Sequence, residues 1–336
     1  MRILNIMLGK KRGGLEQVAV DYCVALRSLG HEVTMAVAAG AAVLPQLKLL
    51  SIPVIEIPLA YRWNPLAGAK LRRLMGAADV SIVHGNRAGQ LTAGVQGTPV
   101  IAVAHSRFFN FYPHFSALVA LSGKMAAQHK EHGVPVTVVP NFVQAPPALP
   151  PRPAFRAPPV LGTMGRFSPE KGMDMLLDAV AALKAKGTNL RLVIGGDGKG
   201  TDTLQQQAAR LGIADSVTFA GWVTDKQAFF DSIDIFCLPS RAETFSVTLV
   251  EAMAQGCPVV ATMCDGPSEI IRPAATGILT PIEVTAFAAA IEQLAQAPAM
   301  AAALGAAARE DVLSRFDMPV VAAKLDALLK SVAPQK

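Results

Sequence analysis

Two series of short apolar runs alternate with helical patterns along this chain, and a proline-rich segment separates them. In the first series the strand-like runs are RILNIML, HEVTMAVAA, VSIVHG, PVIAVAH, ALVALS and VTVVPN, with a predicted helix from Leu15 to Leu29 after the first run. Continuous apolar strands that alternate with helices are typical of a parallel sheet covered on both faces. The first half is therefore predicted to be a doubly wound α/β domain.

The separating segment, VQAPPALPPRPAFRAPP, has seven prolines between residues 146 and 159. Proline removes a backbone donor and fixes φ, so this segment is predicted to be a linker. The alternation resumes with VLGTMGRF, LRLVIGG, VTFAGWV, DIFCLPS and PVVATM. We predict a first domain over 1–145, the linker over 146–159, a second doubly wound domain over 160–315, and a C-terminal helix over 316–336 that could pack back on the first domain.

The size and composition fit this division. A chain of 336 residues has the length of two ordinary domains, and 51% hydrophobic with 17% charged residues excludes a disordered chain. The apolar start lacks a secretory cleavage site, and no apolar run is long enough to span a bilayer. Four cysteines without a CxxC pair argue against zinc and disulfides. We expect a cytoplasmic protein with reduced cysteines.

The positive charge is concentrated in the first half. Residues 1–142 carry 14 Lys and Arg against 6 Asp and Glu, whereas the rest of the chain carries 17 against 19. A basic half attracts anionic partners such as a lipid surface, a phosphorylated acceptor or nucleic acid. A solvated basic surface without a partner is the alternative.

The first turn of the second domain has the features of a phosphate site. Arg166 and Lys171 follow the strand VLGTMGRF and precede a helix. A strand-to-helix turn presents free N–H groups, and an Arg and a Lys add positive charge for a diphosphate.

Two carboxylates, Glu243 and Glu251, lie eight residues apart across a loop and the start of a helix. Ionised carboxylates are hydrogen-bond acceptors, which suits sugar and ribose hydroxyls. Between them Thr244, Phe245 and Ser246 would offer backbone N–H groups to phosphate or sugar oxygens.

Together these segments resemble a known family. GRFSPEKG, LVIGGDG, VTFAGWV and ETFSVTLVEAMAQGCPVVATMCDGPSEII, in this order, are similar to family 4 of the retaining GT-B glycosyltransferases over residues 160 to 281. The resemblance implies two Rossmann-like domains facing a central cleft. It also implies that Arg166 and Lys171 bind the donor diphosphate, Glu243 the transferred sugar and Glu251 the ribose, and that Trp222 and Val223 hold the base. Ser246 stands where the family commonly has glycine.

The first half resembles the family more loosely. Gly13 and Gly14 resemble its glycine-rich loop near the donor phosphates, and His105 resembles the histidine that contacts the transferred sugar. His84, which ends another strand, is predicted with Asn86 and Arg87 to face the acceptor. Arg107 is a further acceptor-side candidate.

The family resemblance also implies the chemistry. It predicts transfer with retention from a nucleotide-diphosphate sugar, UDP-, GDP- or ADP-linked, without a cofactor or metal. A front-face substitution, in which the departing diphosphate helps to take the acceptor proton, is favoured. Arg166 and Lys171, with His105 and Glu243, would be the catalytic residues. The segment Asp231 to Asp234 is predicted to cap a helix and not to form a metal loop.

The acceptor is predicted to be a glycan or lipid-linked hydroxyl, as in lipopolysaccharide, glycolipid or cell-surface polysaccharide synthesis. The segment from Tyr61 to Met75 combines aromatic, basic and apolar residues, and aromatic residues also follow Arg107. Such stretches are typical of helices that lie at a membrane surface. An equal alternative is a helix packed in the core with its basic side in water.

Other functions are weaker alternatives. A nucleotide-sugar epimerase on the same fold is the main one. A nicotinamide dehydrogenase lacks support because no G-x-G-x-x-G follows the first strand. A phosphorylase would need a cofactor-bearing lysine, and no nucleic-acid recognition motif is present.

Overall fold

The computed structural model describes residues 1–11, 13–59, 65–106, 110, 114–146, 148–150 and 152–334. It divides into two compact units: unit 1 is Met1–Asn141 with Met318–Lys336, and unit 2 is Phe142–Asp317. Each unit contains one sheet in which every pair of neighbouring strands is parallel.

The sheet of unit 1 has seven strands in the order β3-β2-β1-β4-β5-β6-β7. Their bounds are β1 Arg2–Met7, β2 Glu32–Ala38, β3 Val54–Ile57, β4 Val80–His84, β5 Val100–Ala104, β6 Ala117–Ala120 and β7 Val136–Val138. All residues of β4, β5 and β6 are buried, as expected for strands covered on both faces.

Among the residues that the structure describes, unit 1 has six α-helices, five from the first half of the chain and one from its C-terminal part. They are α1 Gly14–Ser28, α2 Leu44–Leu49, α3 Pro65–Gly76, α4 Gly85–Leu91, α5 Gly123–Gln128 and α13 Met318–Val332. Helix α13 packs on α1 and buries Val321, Leu325 and Leu329. A hydrogen bond of 2.9 Å between His31 Nε2 and Asp326 Oδ1 adds a polar contact.

The sheet of unit 2 has six strands in the order β10-β9-β8-β11-β12-β13. Their bounds are β8 Val160–Met164, β9 Arg191–Gly195, β10 Val217–Gly221, β11 Ile235–Leu238, β12 Val259–Thr262 and β13 Ile278–Thr280. The accompanying helices are α6 Met173–Ala185, α7 Thr201–Arg210, α8 Lys226–Asp231, α9 Val247–Ala254, α10 Asp265–Ile270, α11 Val284–Gln296 and α12 Pro298–Phe316. A core of leucine, isoleucine, valine and methionine side chains joins α6, α7 and α11 to the sheet.

The proline-rich segment, predicted to be a linker, is bound to unit 2 by arginine side chains. Arg152 Nη2 donates to the carbonyl oxygens of Phe230 and Ile233, at 3.0 and 2.5 Å. Arg156 forms an ion pair of 2.7 Å with the buried Asp234. The boundary between the units therefore lies at 141/142 and not within 146–159, because these side chains fix the segment to the unit that follows it.

In the segment predicted to cap a helix, Asp231 is the last residue of α8. Asp234 accepts hydrogen bonds from the backbone N–H groups of Val160 and Arg156. Asp234 thereby holds the start of β8.

Within the part of the chain that the structure describes, no helix combines the length and apolar character needed to cross a membrane. The four cysteines are free thiols, and three of them are buried.

Candidate active site

The order of the strands in unit 2 reverses between β8 and β11. In open parallel sheets, loops that leave the carboxyl ends of two such strands run to opposite sides and leave room for a ligand. Here these loops are residues 165–172, after β8, and residues 239–246, after β11. They contain six of the predicted residues: Arg166 and Lys171 in the first loop, and Glu243, Thr244, Phe245 and Ser246 in the second.

Lys171 and Glu243 form an ion pair across the two loops. Lys171 Nζ lies 2.5 Å from Oε2 and 2.9 Å from Oε1 of Glu243, and both side chains are largely shielded from solvent. The loops touch at Gly172, whose φ is +64° and where a Cβ atom would lie 2.0 Å from the carbonyl oxygen of Pro239. A side chain at this position would push the loops apart, so Gly172 is required for the ion pair.

Arg166 remains exposed beside this pair. Its side chain is 71% exposed and lies 3.9 Å from the Glu170 carboxylate. The backbone around it is fixed, because the Gly165 and Phe167 N–H groups donate to the carbonyl oxygens of Gly195 and Asp197. The backbone on both sides of Arg166 is therefore fixed, while the N–H donors of its guanidinium remain accessible to an anionic ligand.

Arg241 fixes the same loop, and sequence reasoning missed it. Its guanidinium forms two bonds of 2.7 Å with Asp174 and one of 2.8 Å with the carbonyl oxygen of Pro169. The hydrogen bonds from Arg241 to the Asp174 carboxylate lower the pKa of Asp174. Arg241 precedes Glu243 by two residues, and this position next to a predicted site residue is the sequence feature that could have identified it.

Glu251 is held by a lysine that the sequence did not single out. Lys226 Nζ donates to Glu251 Oε1, while Glu251 Oε2 is buried and has no hydrogen-bond partner among the described residues. Burial raises the pKa of Glu251, and Lys226 counteracts part of that effect. Lys226 begins α8, and nothing in its spacing from Glu251 predicted the contact. Glu251 thus keeps one acceptor oxygen without a donor among the described residues.

The segment between the two carboxylates forms the start of α9. The buried Ser246 is its N-cap and has φ +84°, in the region that glycine favours. Its Oγ accepts a long bond of 3.4 Å from the Leu249 N–H. Phe245 points into the core and meets Phe316 edge to face at 5.5 Å. Thr244 is half-buried.

The residues predicted to hold a base lie after β10. Trp222 is 47% exposed, and Val223 is half-buried and covers Gly195, where a Cβ atom would lie 2.6 Å from Val223 Cγ2. The Gly196 N–H donates to the Gly221 carbonyl. This contact keeps the segment next to the loop after β9.

In unit 1 the strand order reverses between β1 and β4. Gly13 precedes α1 with an extended backbone, and a Cβ atom there would lie 2.7 Å from Glu16 Oε2. Gly14 begins α1 and has no described atom within 4 Å of a built Cβ atom. Gly14 is exposed at the start of α1, and the approach of a ligand to its backbone stays a prediction.

The two histidines predicted from strand ends are in direct contact. His84 ends β4, His105 follows β5, and His84 Nδ1 lies 2.9 Å from His105 Nε2 with the rings stacked. Burial lowers the pKa of His105 to about 4 and that of His84 well below its usual range, where His105 lowers it further. Both rings are neutral at pH 7.

The predicted acceptor residues have different environments. His84 is 1% exposed, which does not fit a direct contact with an acceptor. Asn86 Oδ1 accepts from the backbone N–H of Asn110 at 2.8 Å. Arg107 lies outside the described residues, as do Tyr61 to Asn64 of the predicted membrane segment. Helix α3, which continues that segment, buries Ala67, Leu71 and Met75 and leaves Leu66 exposed.

Two family models match the chain. Residues 12–145 match the model described as Glycosyltransferase Family 4, and residues 150–311 match the model described as Glycosyl transferases group 1. The first range contains His84 and His105, and the second contains Glu243 and Glu251.

Curated relatives extend this similarity. The lipopolysaccharide core biosynthesis glycosyltransferase LpsE of Rhizobium meliloti is 35% identical over 52% of this chain and 50% of its own length. The phosphatidyl-myo-inositol mannosyltransferase of Mycobacterium leprae is 28% identical over 96% of this chain and 94% of its own length. The chain thus matches half the length of LpsE.

A solved structure has the same fold. The crystal structure of HepE from Anabaena in complex with UDP and glucose superposes with a TM-score of 0.84 at 22% identity, over 98% of this chain and the whole of that chain. The similarity confirms the predicted fold class, GT-B with two parallel-sheet α/β domains.

Replacing Ser246 by Gly is expected to stabilise unit 2. Glycine relieves the positive φ, which costs a non-glycine residue about 1–3 kcal/mol, and loses only a few tenths as an N-cap. Ser246→Ala keeps the strained backbone and loses the cap, at a cost of about 1 kcal/mol. Urea denaturation should give a higher midpoint for the Gly variant and a lower one for the Ala variant than for the wild type. The reverse order would contradict this account.

Replacing Lys226 by Met is expected to raise the pKa of Glu251 further, because burial then acts unopposed. A carboxyl whose folded pKa exceeds its unfolded pKa destabilises the fold when ionised, so the loss should be largest at high pH and shrink as pH falls. We expect a loss of about 1–3 kcal/mol at pH 8 and a smaller one at pH 5, measured by thermal unfolding. Lys226→Arg is the control, and an equal loss at both pH values would exclude this explanation.

Proposed function

The chain belongs to glycosyltransferase family 4, and on that premise we propose that it transfers a sugar from a nucleoside-diphosphate donor to a hydroxyl acceptor. The main support is the pair of lysine-held carboxylates in unit 2, Glu243 with Lys171 and Glu251 with Lys226, on either side of the start of α9. Carboxylates accept from hydroxyls, and the intervening helix start favours an anion.

The contact between Lys171 and Glu243 supports a particular order of the donor's parts. A diphosphate bound by Lys171 would lie next to the carboxylate that holds the sugar, as the two groups are adjacent in a nucleotide sugar. Arg166 adds a guanidinium fork whose donors are exposed. In this proposal these two cations hold the diphosphate, and Glu243 accepts from the sugar hydroxyls.

The nucleoside part would then bind toward Glu251. Its Oε2, buried and without a hydrogen-bond partner among the described residues, suits a ribose hydroxyl donor. Trp222 offers an exposed ring, and Val223 a backbone at the end of β10, for the base. The UDP in the HepE structure supports this class of ligand but does not select the base for this chain.

The proposed reaction keeps the anomeric configuration. Departure of the diphosphate builds negative charge on the leaving group, and Arg166, Lys171 and the start of α9 would stabilise it in place of a metal ion. A front-face substitution lets the departing diphosphate help to take the acceptor proton. His105 is assigned the contact with the transferred sugar, on the basis of the family resemblance.

The names of the relatives point to a lipid-linked or lipopolysaccharide-type acceptor. The positive charge of residues 1–142 suits an anionic membrane surface. Helix α3 contributes Leu66, 79% exposed, and the exposed Lys70 and Arg73. We therefore include peripheral docking on the inner face of the cytoplasmic membrane in the proposal.

Thermal shift with UDP-, GDP- and ADP-sugars tests the donor site. A ligand at 100 times its Kd should stabilise the wild type by about 2.7 kcal/mol. Glu251→Ala should weaken binding of the same ligand about 10- to 100-fold, since a hydrogen bond to a charged group contributes about 1.5–3 kcal/mol. Glu310→Ala, which removes an exposed carboxylate on α12, is the control and should bind as the wild type does.

The wild-type protein is then used to test the stereochemistry of the transfer. With the bound donor and lipid acceptors, NMR of the product should show the anomeric configuration of the donor. Stabilisation by none of the nucleotide sugars would refute the donor site, and an isomerised donor in the absence of acceptor would identify an epimerase.

Vesicle flotation tests the membrane contact. Because each basic residue near an anionic surface contributes about 1 kcal/mol, the double variant Lys70→Glu/Arg73→Glu should bind anionic vesicles at least about tenfold more weakly. Lys324→Glu on the exposed side of α13 makes a charge change in the same unit and serves as the control. Equal recovery with neutral and anionic vesicles would refute electrostatic docking.

A further inference from the structure

The contact between His84 and His105 determines what His105 can offer to a ligand. His84 pairs with Val103 in the sheet, and His105 follows Val103 by two residues, so both rings project from the same face. His84 is also packed against the Tyr22 ring of α1, with centroids 5.2 Å apart at 78°. The His84 ring is therefore held by its contact with Tyr22, and its Nδ1 atom contacts His105.

Because both rings are neutral, one hydrogen lies between the two nitrogens. A neutral imidazole has one N–H donor and one acceptor nitrogen. Either His84 Nδ1–H donates to His105 Nε2, or His105 Nε2–H donates to His84 Nδ1. In the first arrangement His105 carries its hydrogen on Nδ1 and is a donor there; in the second, that atom is an acceptor.

The surroundings of His84 decide between the two arrangements. His84 Nε2 is buried and has no hydrogen-bond partner among the described residues. In the second arrangement this atom would carry a hydrogen, and a buried N–H without a partner is rarer in proteins than an acceptor without one. A contact of that N–H with the Tyr22 ring would recover only part of the cost. The first arrangement leaves a lone pair there and is favoured.

We propose that His84 is a positioning residue, which holds His105 in the Nδ1–H form so that His105 donates a hydrogen bond to an oxygen of the transferred sugar. This inference rests on the proposed function for the identity of the ligand. A neutral donor suits a hydroxyl or ring oxygen of a sugar. His84 acts through His105 and touches no ligand.

Long-range 15N–1H NMR of the histidine rings at pH 7 tests the tautomer directly. In the wild type we expect His105 to be protonated on Nδ1 and His84 on Nδ1. His84→Asn places an amide N–H near the Nδ1 position and should keep the His105 tautomer. His84→Asp offers only acceptor oxygens and should move the hydrogen of His105 to Nε2. A wild-type His105 protonated on Nε2 would overturn the proposal without any variant.

Kinetics separate positioning from a general structural role. His84→Leu fills the site without a donor and should lower kcat about tenfold while changing the KM for the donor less than about threefold. His84→Asn should recover kcat to within about threefold of the wild type, and His84→Asp should resemble the Leu variant. Equal kcat values in the Asn, Asp and Leu variants would overturn the proposal. If the wild type transfers no sugar, the proposed function fails, whereas the NMR experiment still tests the tautomer.

Discussion

Parallel pairing of β8 with β11 is the constraint on which the candidate site in unit 2 depends. The pairing places two loops from distant parts of the chain at one edge of the sheet, and Gly172 lets them touch. The ion pair between Lys171 and Glu243 and the clamp of Arg241 on Asp174 both follow from that contact. Because β8, β11 and β12 are buried along their whole lengths, the polar side chains of the candidate site lie on the loops and helices that follow the strands.

Much of the fold and part of the site could be predicted from the sequence. The alternating apolar runs indicated two parallel sheets, and the motif around Glu243 and Glu251 identified the loop and helix that carry them. Periodicity and local motifs report neighbours along the chain, so they did not reveal Lys226, whose partner Glu251 lies on another helix. They also did not show that Arg152 and Arg156 fix the proline-rich segment to unit 2, since those contacts form between residues distant in sequence.

Burial changes the chemistry of several residues that the sequence presents as ordinary polar groups. Glu251 has one oxygen bound by Lys226 and one that is buried, and burial lowers the pKa values of His84 and His105 so that both rings are neutral. Ser246 keeps a backbone conformation that glycine would adopt more easily, while its hydroxyl caps α9. In each case the residue type was visible in the sequence, but its protonation, partner or conformation depends on the packing around it.

Helix α13 has a consequence for the order in which the protein is made. It follows the whole of unit 2 in the chain, yet it packs on α1 and pairs Asp326 with His31 in unit 1. Unit 1 therefore begins first on the ribosome but cannot be completed until unit 2 has been synthesised. During translation the surface of α1 that α13 covers stays open, while the residues of unit 2 are already all available to fold.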